Sequence, residues 1–111
     1  MAIKGLEYLY METHDWEGSK AFWQSLGFEL IMSLGTAGKF VHPESEGAVF
    51  LEQVSEDREP AMRIYLTGDR HAPVPVPEAS VSAPWSQSHW GSHLLELVDP
   101  DGRPVIVQDR D

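Results

Sequence analysis

The amino-acid sequence predicts an α+β fold of two consecutive halves, of which only the first carries a full helix. Three observations support this prediction. A helix-forming stretch, THDWEGSKAFWQSLGFEL, follows an alternating strand near the N-terminus. Short runs of β-branched and aromatic residues, separated by turn residues, occupy most of the remaining chain. Three prolines between residues 73 and 77 exclude a second helix of similar length.

The first predicted strand, IKGLEYLYM, has two faces that differ in chemistry. Its alternation places Leu9 and Met11 on one face, and Tyr8, Tyr10 and Glu12 on the other. The aromatic and acidic face therefore contains candidates for a binding site.

The helix that follows has recognisable ends. Asp15 is a suitable N-cap, and Gly27 is a suitable stop after about three turns. Because a helix that covers a sheet buries its apolar stripe, we expect the stripe to be core, with a binding surface as the alternative. The stripe consists of Trp16, Phe22, Trp23 and Leu26.

Three further strands complete the first half. They are FELIMSL, GKFVHPE and GAVFLEQV, which gives the order β-α-β-β-β. The polar connector SEDREP then separates module one, about 1–54, from module two, about 61–111, within a single domain covering 1–111.

The second half begins with the strand AMRIYLTGD. Its proline-rich segment, RHAPVPVPE, leaves room for one helical turn at most. The stretches ASVSAPWS, SHLLELV and PVIVQ supply three more strands, and a turn from Asp99 to Gly102 joins the last two.

Composition excludes several classes of function. The 111 residues include 18 acidic and 8 basic ones, and the formal net charge of −10 disfavours nucleic acid and anionic membranes. This charge either attracts a cationic ligand or serves solubility alone. The absence of cysteine excludes disulfides and thiolate chemistry. Because the apolar runs are short and MAIKGLEYLY lacks a signal-peptide pattern, we expect a cytoplasmic protein.

Two stretches carry a resemblance to a known family. AFWQSLGFEL after the first strand, together with HWGSHLLELVDPDGRPVIV near the C-terminus, resembles the vicinal oxygen chelate superfamily, which includes glyoxalases, bleomycin resistance proteins and extradiol dioxygenases. The resemblance implies two β-α-β-β-β modules whose curled mixed sheets enclose a cavity. The helix of the second module is expected to be reduced or absent.

The resemblance also implies four positions for metal ligands: Tyr8, Glu52, Arg63 and Ile106. Glu52 is preferred to its neighbour Leu51, because placing Leu51 at the site would turn the carboxylate of Glu52 toward the helix-covered core. Ile106 stands where glyoxalase-type enzymes carry a glutamate, and an aliphatic side chain cannot bind a metal. An arginine repels a cation, so we expect no metal and no other cofactor.

The candidate ligand-binding face combines aromatic walls with a few charged anchors, which is typical of small-molecule sites. It contains Tyr8, Tyr10, Glu12, Phe50, Glu52, Arg63, Tyr65 and Trp90. The alternatives are ordinary half-buried packing of the aromatic residues and a structural ion pair between Glu52 and Arg63.

Three functions follow as hypotheses. The first is a metal-free protein of the glyoxalase/bleomycin resistance type that sequesters an aromatic or cationic small molecule. The second is a lyase, isomerase or dioxygenase of the same superfamily, which uses either a shifted metal site, such as Glu7, Glu52 and a histidine, or Glu52 or Tyr8 as acid or base. The third is an assembly role without a ligand.

A homodimer is predicted from an uncovered apolar face in the second half. Its expected members are Ile64, Leu66, Leu95, Leu97, Val105 and Val107. A patch of this size is uncommon on a monomer, so a partner chain would cover it. The alternative is that Val74 and Val76, with the neighbouring prolines, lie across this face as a strap.

Overall fold

A computed structural model describes residues 2–111, and the chain divides into two compact units. Residues 8–62 form one of them, here called the helix unit. Residues 63–111, together with the residues up to 7, form the other, here called the strap unit. The elements are β1 (Ile3–Thr13), α1 (Trp16–Ser25), β2 (Glu29–Ser33), β3 (Ala37–Val41), β4 (Ala48–Gln53), β5 (Met62–Gly68), a 3-10 turn (Glu78–Ser80), β6 (Val81–Gln87), β7 (His93–Val98) and β8 (Pro104–Asp109).

The helix unit contains the strand order β2-β3-β4-β1. Antiparallel pairing joins β3 to both β2 and β4, whereas β4 runs parallel to β1. This parallel pair sets Tyr10 opposite Phe50 and Glu12 opposite Glu52. Because successive side chains of a strand alternate between faces, these residues share one face of the sheet.

Both predicted helix ends are confirmed. The side chain of Asp15 accepts a hydrogen bond from the Gly18 amide at 2.9 Å and so caps the first turn. After the helix, Gly27 adopts a φ of +94°, and a Cβ there would lie 2.7 Å from His42 Nε2. Both the backbone conformation and the close contact therefore favour glycine at this position.

The apolar stripe of the helix is only partly core, which corrects the sequence-based expectation. Trp16 is buried against Phe40, Val49 and Leu51, and Trp23 packs against the same cluster. By contrast, Phe22 is 57% exposed and Leu26 is 50% exposed. Phe22 precedes Trp23 by about 100° around the helix axis, and Leu26 is the C-cap, so neither follows the buried side.

The strap unit contains the strand order β5-β8-β7-β6. β5 runs parallel to β8, and the other two pairs are antiparallel. Between β5 and β6, the only helical structure is the 3-10 turn, which confirms the reduced second helix. The fold is therefore α+β with mixed strand pairing. No helix within residues 2–111 is long and apolar enough to cross a membrane.

Residues 69–80, here called the strap, cover much of the face that the sequence left open. Val74 and Val76 pack against a core of Leu95, Leu97 and Val107, while the three neighbouring prolines stay exposed. Ile64 remains 41% exposed. The strap alternative thus accounts for most of the predicted patch, and the homodimer stays a prediction.

Candidate ligand-binding site

Three aromatic rings of the helix unit form a continuous surface on the sheet face opposite α1. Tyr8 and Phe50 stack with ring centroids 5.2 Å apart, and Tyr10 and Phe50 stack at 6.3 Å. The two tyrosines are buried and Phe50 is half-buried. This surface is here called the aromatic face, and it brings together three of the residues predicted for ligand binding.

Glu52 lies beside the aromatic face, in the orientation expected from the sequence. Its neighbour Leu51 is almost fully buried in the core under α1. Alternation along β4 therefore turns Glu52 to the opposite face, where its side chain is exposed. A carboxylate at this place stays in contact with solvent and available to a ligand.

The Tyr10 hydroxyl lies between two carboxylates. It is 2.6 Å from Glu52 Oε1 and 2.9 Å from Glu12 Oε2. A phenol has a single proton and can donate to only one of them at a time. Burial raises the pKa of Tyr10, and the two neighbouring carboxylates raise it further. Tyr10 is therefore a permanent hydrogen-bond donor near neutral pH and does not act as a base.

Glu12 is the inner carboxylate and is already paired within the chain. Burial by itself would raise the pKa of Glu12. Three contacts more than offset this effect, so the pKa is lowered: hydrogen bonds from the Ala61 amide and the Tyr10 hydroxyl, and the cationic Arg58. The Ala61 amide donates to Oε1 at 3.0 Å, and Arg58 donates to Oε2. Glu12 is thus a stable buried anion with its own counter-ion.

Arg58 is a site residue that sequence reasoning missed. It lies in the SEDREP connector, whose polar composition predicts only a boundary between the two modules. Besides its contact with Glu12, its carbonyl oxygen lies 2.7 Å from His14 Nε2. The signal that could have identified it is a single cation in an otherwise acidic connector. Because Arg58 pairs with Glu12, Glu52 is the more accessible of the two carboxylates.

The remaining predicted residues lie in the strap unit. Tyr65 is buried and pairs in register with Ile106, and Arg63 is half-buried on the same strand as Tyr65. Trp90 lies in the loop between β6 and β7, and its Nε1 donates to Gln108 Oε1 at 2.8 Å. Gln108 is fully buried and was not predicted, although alternation along β8 places it on the same face as Ile106.

The donor set does not fit a divalent metal. Of the four positions implied by the resemblance, Ile106 is aliphatic and Arg63 is a cation, which leaves only Tyr8 and Glu52, whereas such ions require three or four N or O donors. Glu7 of the alternative set already accepts hydrogen bonds on both oxygens. Within residues 2–111, no three His, Asp or Glu side chains cluster as metal ligands would. Whether the protein is metal-free is still a prediction, which metal analysis can test.

Comparison with known proteins gives the fold. No family model and no curated protein matches the sequence. A glyoxalase/bleomycin resistance protein/dioxygenase superfamily member from Vibrio splendidus 12B01 matches with a TM-score of 0.72 at 14% identity, over 94% of this chain and 98% of that one. Methylmalonyl-CoA epimerase from Mycobacterium tuberculosis matches with a TM-score of 0.68 at 12% identity, over 99% of this chain and 90% of that one.

A Mn(II)-bound glyoxalase from Novosphingobium aromaticivorans also matches, with a TM-score of 0.64 at 20% identity, over 98% of this chain and 40% of that one. The structural similarity establishes the fold, and sequence identities this low leave the activity open. The chain has the vicinal oxygen chelate fold of the glyoxalase/bleomycin resistance protein/dioxygenase superfamily, as its sequence predicted.

Proposed function

We propose that the protein binds an aromatic or cationic small molecule at the aromatic face, without a metal, and that Glu52 is the charge anchor of this site. The observation that carries the proposal is the unequal state of the two carboxylates. Glu12 is buried and paired with Arg58, whereas Glu52 is exposed beside the rings. An exposed carboxylate next to aromatic rings is suited to a cation attached to a flat ring system.

Two physical effects would act together on such a ligand. A cation placed near the half-buried ring of Phe50 gains about 0.5–1 kcal/mol from the ring quadrupole. The Tyr10 hydroxyl holds one oxygen of Glu52 at 2.6 Å, so the carboxylate is pre-positioned. The net charge of −10 would also raise the rate at which cations reach the protein.

The proposal can be tested with a planar aromatic cation, 1-methylquinolinium, added to protein dialysed against EDTA. Calorimetric titration should show binding to the wild type. Glu52→Gln should weaken binding about three- to fivefold, because an exposed charge pair is worth up to about 1 kcal/mol. Glu46→Gln removes the same charge from an exposed loop position and is the matched control.

The control separates a local anchor from a general charge effect. If Glu46→Gln weakens binding as much as Glu52→Gln does, the ligand responds only to net charge and the proposed anchor is wrong. A requirement for added Zn²⁺ or Mn²⁺ would contradict the metal-free part of the proposal. A cytoplasmic location remains a prediction from the sequence.

An acid–base enzyme is the second candidate, and the hydrogen bond between Tyr10 and Glu52 favours it. That bond leaves the other oxygen of Glu52 able to accept a proton from a bound molecule. An isomerase or lyase reaction would fit this arrangement better than a dioxygenase reaction, which in this superfamily is expected to need a metal. Loss of turnover in Glu52→Gln with binding retained would favour the enzyme over the binding protein.

A further inference from the structure

A lysine borders the aromatic face on the side away from β1. Strand pairing within the helix unit sets Lys39 of β3 directly opposite Phe50 of β4. The next residue, Phe40, is fully buried in the core under α1, so alternation along β3 turns Lys39 to the aromatic face. Lys39 is half-buried in this position. A partly desolvated cation therefore lies beside the ring of Phe50, and sequence reasoning missed it.

Lys39 has a carboxylate diagonal to it on each neighbouring strand but forms an ion pair with neither. Glu52 pairs in register with Ala37, which places it diagonally across from Lys39. Glu29 pairs with Val41 and is the corresponding diagonal neighbour on β2. About 7–8 Å separates the Cα atoms of such diagonal neighbours. Within residues 2–111, no carboxylate oxygen lies within ion-pair distance of the Lys39 ammonium.

The two charges beside the Phe50 ring are therefore not neutralised by each other. The Tyr10 hydroxyl holds one oxygen of Glu52 at 2.6 Å, and the ammonium of Lys39 has three N–H donors to offer. A planar cation bound at Glu52 would bring positive charge toward Lys39, which would repel it. A carboxylate on the same ligand would remove this repulsion, because it would accept hydrogen bonds from the ammonium.

We propose that the ligand of the aromatic face is a planar zwitterion, in which Glu52 binds the cationic ring nitrogen and Lys39 binds a carboxylate on the same ring system. This inference rests on the proposed function for the site and for Glu52, and it adds the second charge of the ligand. Lys39 is then the residue that selects a zwitterion over a simple planar cation. The structural alternative is that Lys39 only balances the charges of Glu29 and Glu52.

Two probes of nearly equal size test the proposal: 1-methylquinolinium-3-carboxylate and 1-methylquinolinium-3-carboxamide. They share the planar cation and differ in the negative charge. Calorimetric titration of EDTA-dialysed protein is done at about 0.15 M salt, which screens exposed charges more than about 8 Å apart. The wild type should bind the carboxylate about three- to fivefold more tightly than the carboxamide, as expected for a partly exposed charge pair. Lys39→Met removes the ammonium and should abolish this preference.

Two further variants separate a local contact from a general charge effect. Lys20→Met removes the same charge from α1, on the other side of the sheet, and should keep the wild-type preference. Lys39→Arg retains a cation at the site and should also keep it. An equal loss of preference in Lys20→Met and Lys39→Met would overturn the inference. The same holds if Lys39→Met is less stable in urea but has an unchanged preference, since that result favours the structural alternative.

Failure of this inference can be told apart from failure of the proposed function. If Glu52→Gln weakens binding of both probes while Lys39→Met leaves the preference unchanged, the proposed site stands and the role of Lys39 is wrong. If the wild type binds neither probe, both fail. Should Lys39→Met not fold, the wild-type titrations decide, because equal or weaker binding of the carboxylate contradicts the inference.

Discussion

The ion pair between Arg58 and Glu12 should stabilise the helix unit more than any surface pair. Arg58→Met tests this, because methionine keeps much of the apolar stem while removing the charge and the hydrogen bonds. The side chain of Glu12 is 1% exposed, whereas that of Arg58 is 52% exposed. The substitution therefore leaves a buried carboxylate without its cation.

The size of the effect lies between two limits. Removing one partner of a fully buried pair costs about 3–5 kcal/mol, and an exposed pair is worth about 0–1 kcal/mol. Arg58 is half exposed, and Glu12 keeps its hydrogen bond from the Ala61 amide and stays within reach of the Tyr10 hydroxyl. We therefore expect the free energy of unfolding to fall by about 1.5–2.5 kcal/mol at pH 7.

The pH dependence gives a second signature. The folded pKa of Glu12 is lowered, so its contribution to stability is present above the unfolded value of about 4.3 and is lost as the pH falls through the folded pKa. Without Arg58 the folded pKa of Glu12 moves back toward the unfolded value. The difference in stability between the wild type and Arg58→Met should therefore shrink as the pH falls below about 4.

Urea unfolding, followed by tryptophan fluorescence between pH 3 and pH 7, measures both effects. Arg103→Met is the matched control, because Arg103 pairs with Asp99 and its side chain is 69% exposed. It should cost no more than about 1 kcal/mol. Equal losses in the two variants, or a difference from the wild type that does not depend on pH, would refute the reasoning.

Three further predictions concern other contacts. Alkaline titration of the three tyrosines should show that Tyr10 stays protonated until the protein unfolds, because burial and adjacent carboxylates raise its pKa; complete ionisation in the folded protein would contradict this. Asp109→Asn should lower the free energy of unfolding by about 1–3 kcal/mol, because buried Asp109 accepts hydrogen bonds from the amide and guanidinium of Arg70. Urea unfolding measures this loss, and an unchanged free energy would show that the contact does not anchor the strap. The double substitution of Val74 and Val76 by serine should increase binding of a hydrophobic dye and the apparent mass in light scattering, and unchanged values would show that the strap does not shield the core.

Local sequence signals predicted the parts of the fold that depend on neighbouring residues. The N-cap at Asp15 and the stop at Gly27 each act within one turn of the helix, so the sequence was sufficient to place both ends. The same holds for the proline-rich segment, because closely spaced prolines exclude a long helix whatever the surrounding tertiary contacts are. Alternation along β4 likewise distinguished Glu52 from Leu51.

The sequence was less informative where contacts join distant positions. Arg58 pairs with Glu12 across 46 positions, and Gln108 bonds Glu7 across 101 positions. No periodicity relates such residues, since the contacts arise from strand pairing and from the return of a connector to the sheet. The exposure of Phe22 was missed for a related reason, because a stripe of aromatic residues does not show how wide the surface beneath the helix is.

The central claim is that Glu52 recognises the positive charge of a planar ligand without a metal. The most direct measurement is a cycle of four dissociation constants, for 1-methylquinolinium and neutral quinoline on the wild type and on Glu52→Gln, at pH 7.5 in EDTA-dialysed protein. The wild type should prefer the cation, and Glu52→Gln should reduce this preference at least about threefold while leaving quinoline binding nearly unchanged. An equal change for both probes, or a preference that survives the substitution, would contradict the claim.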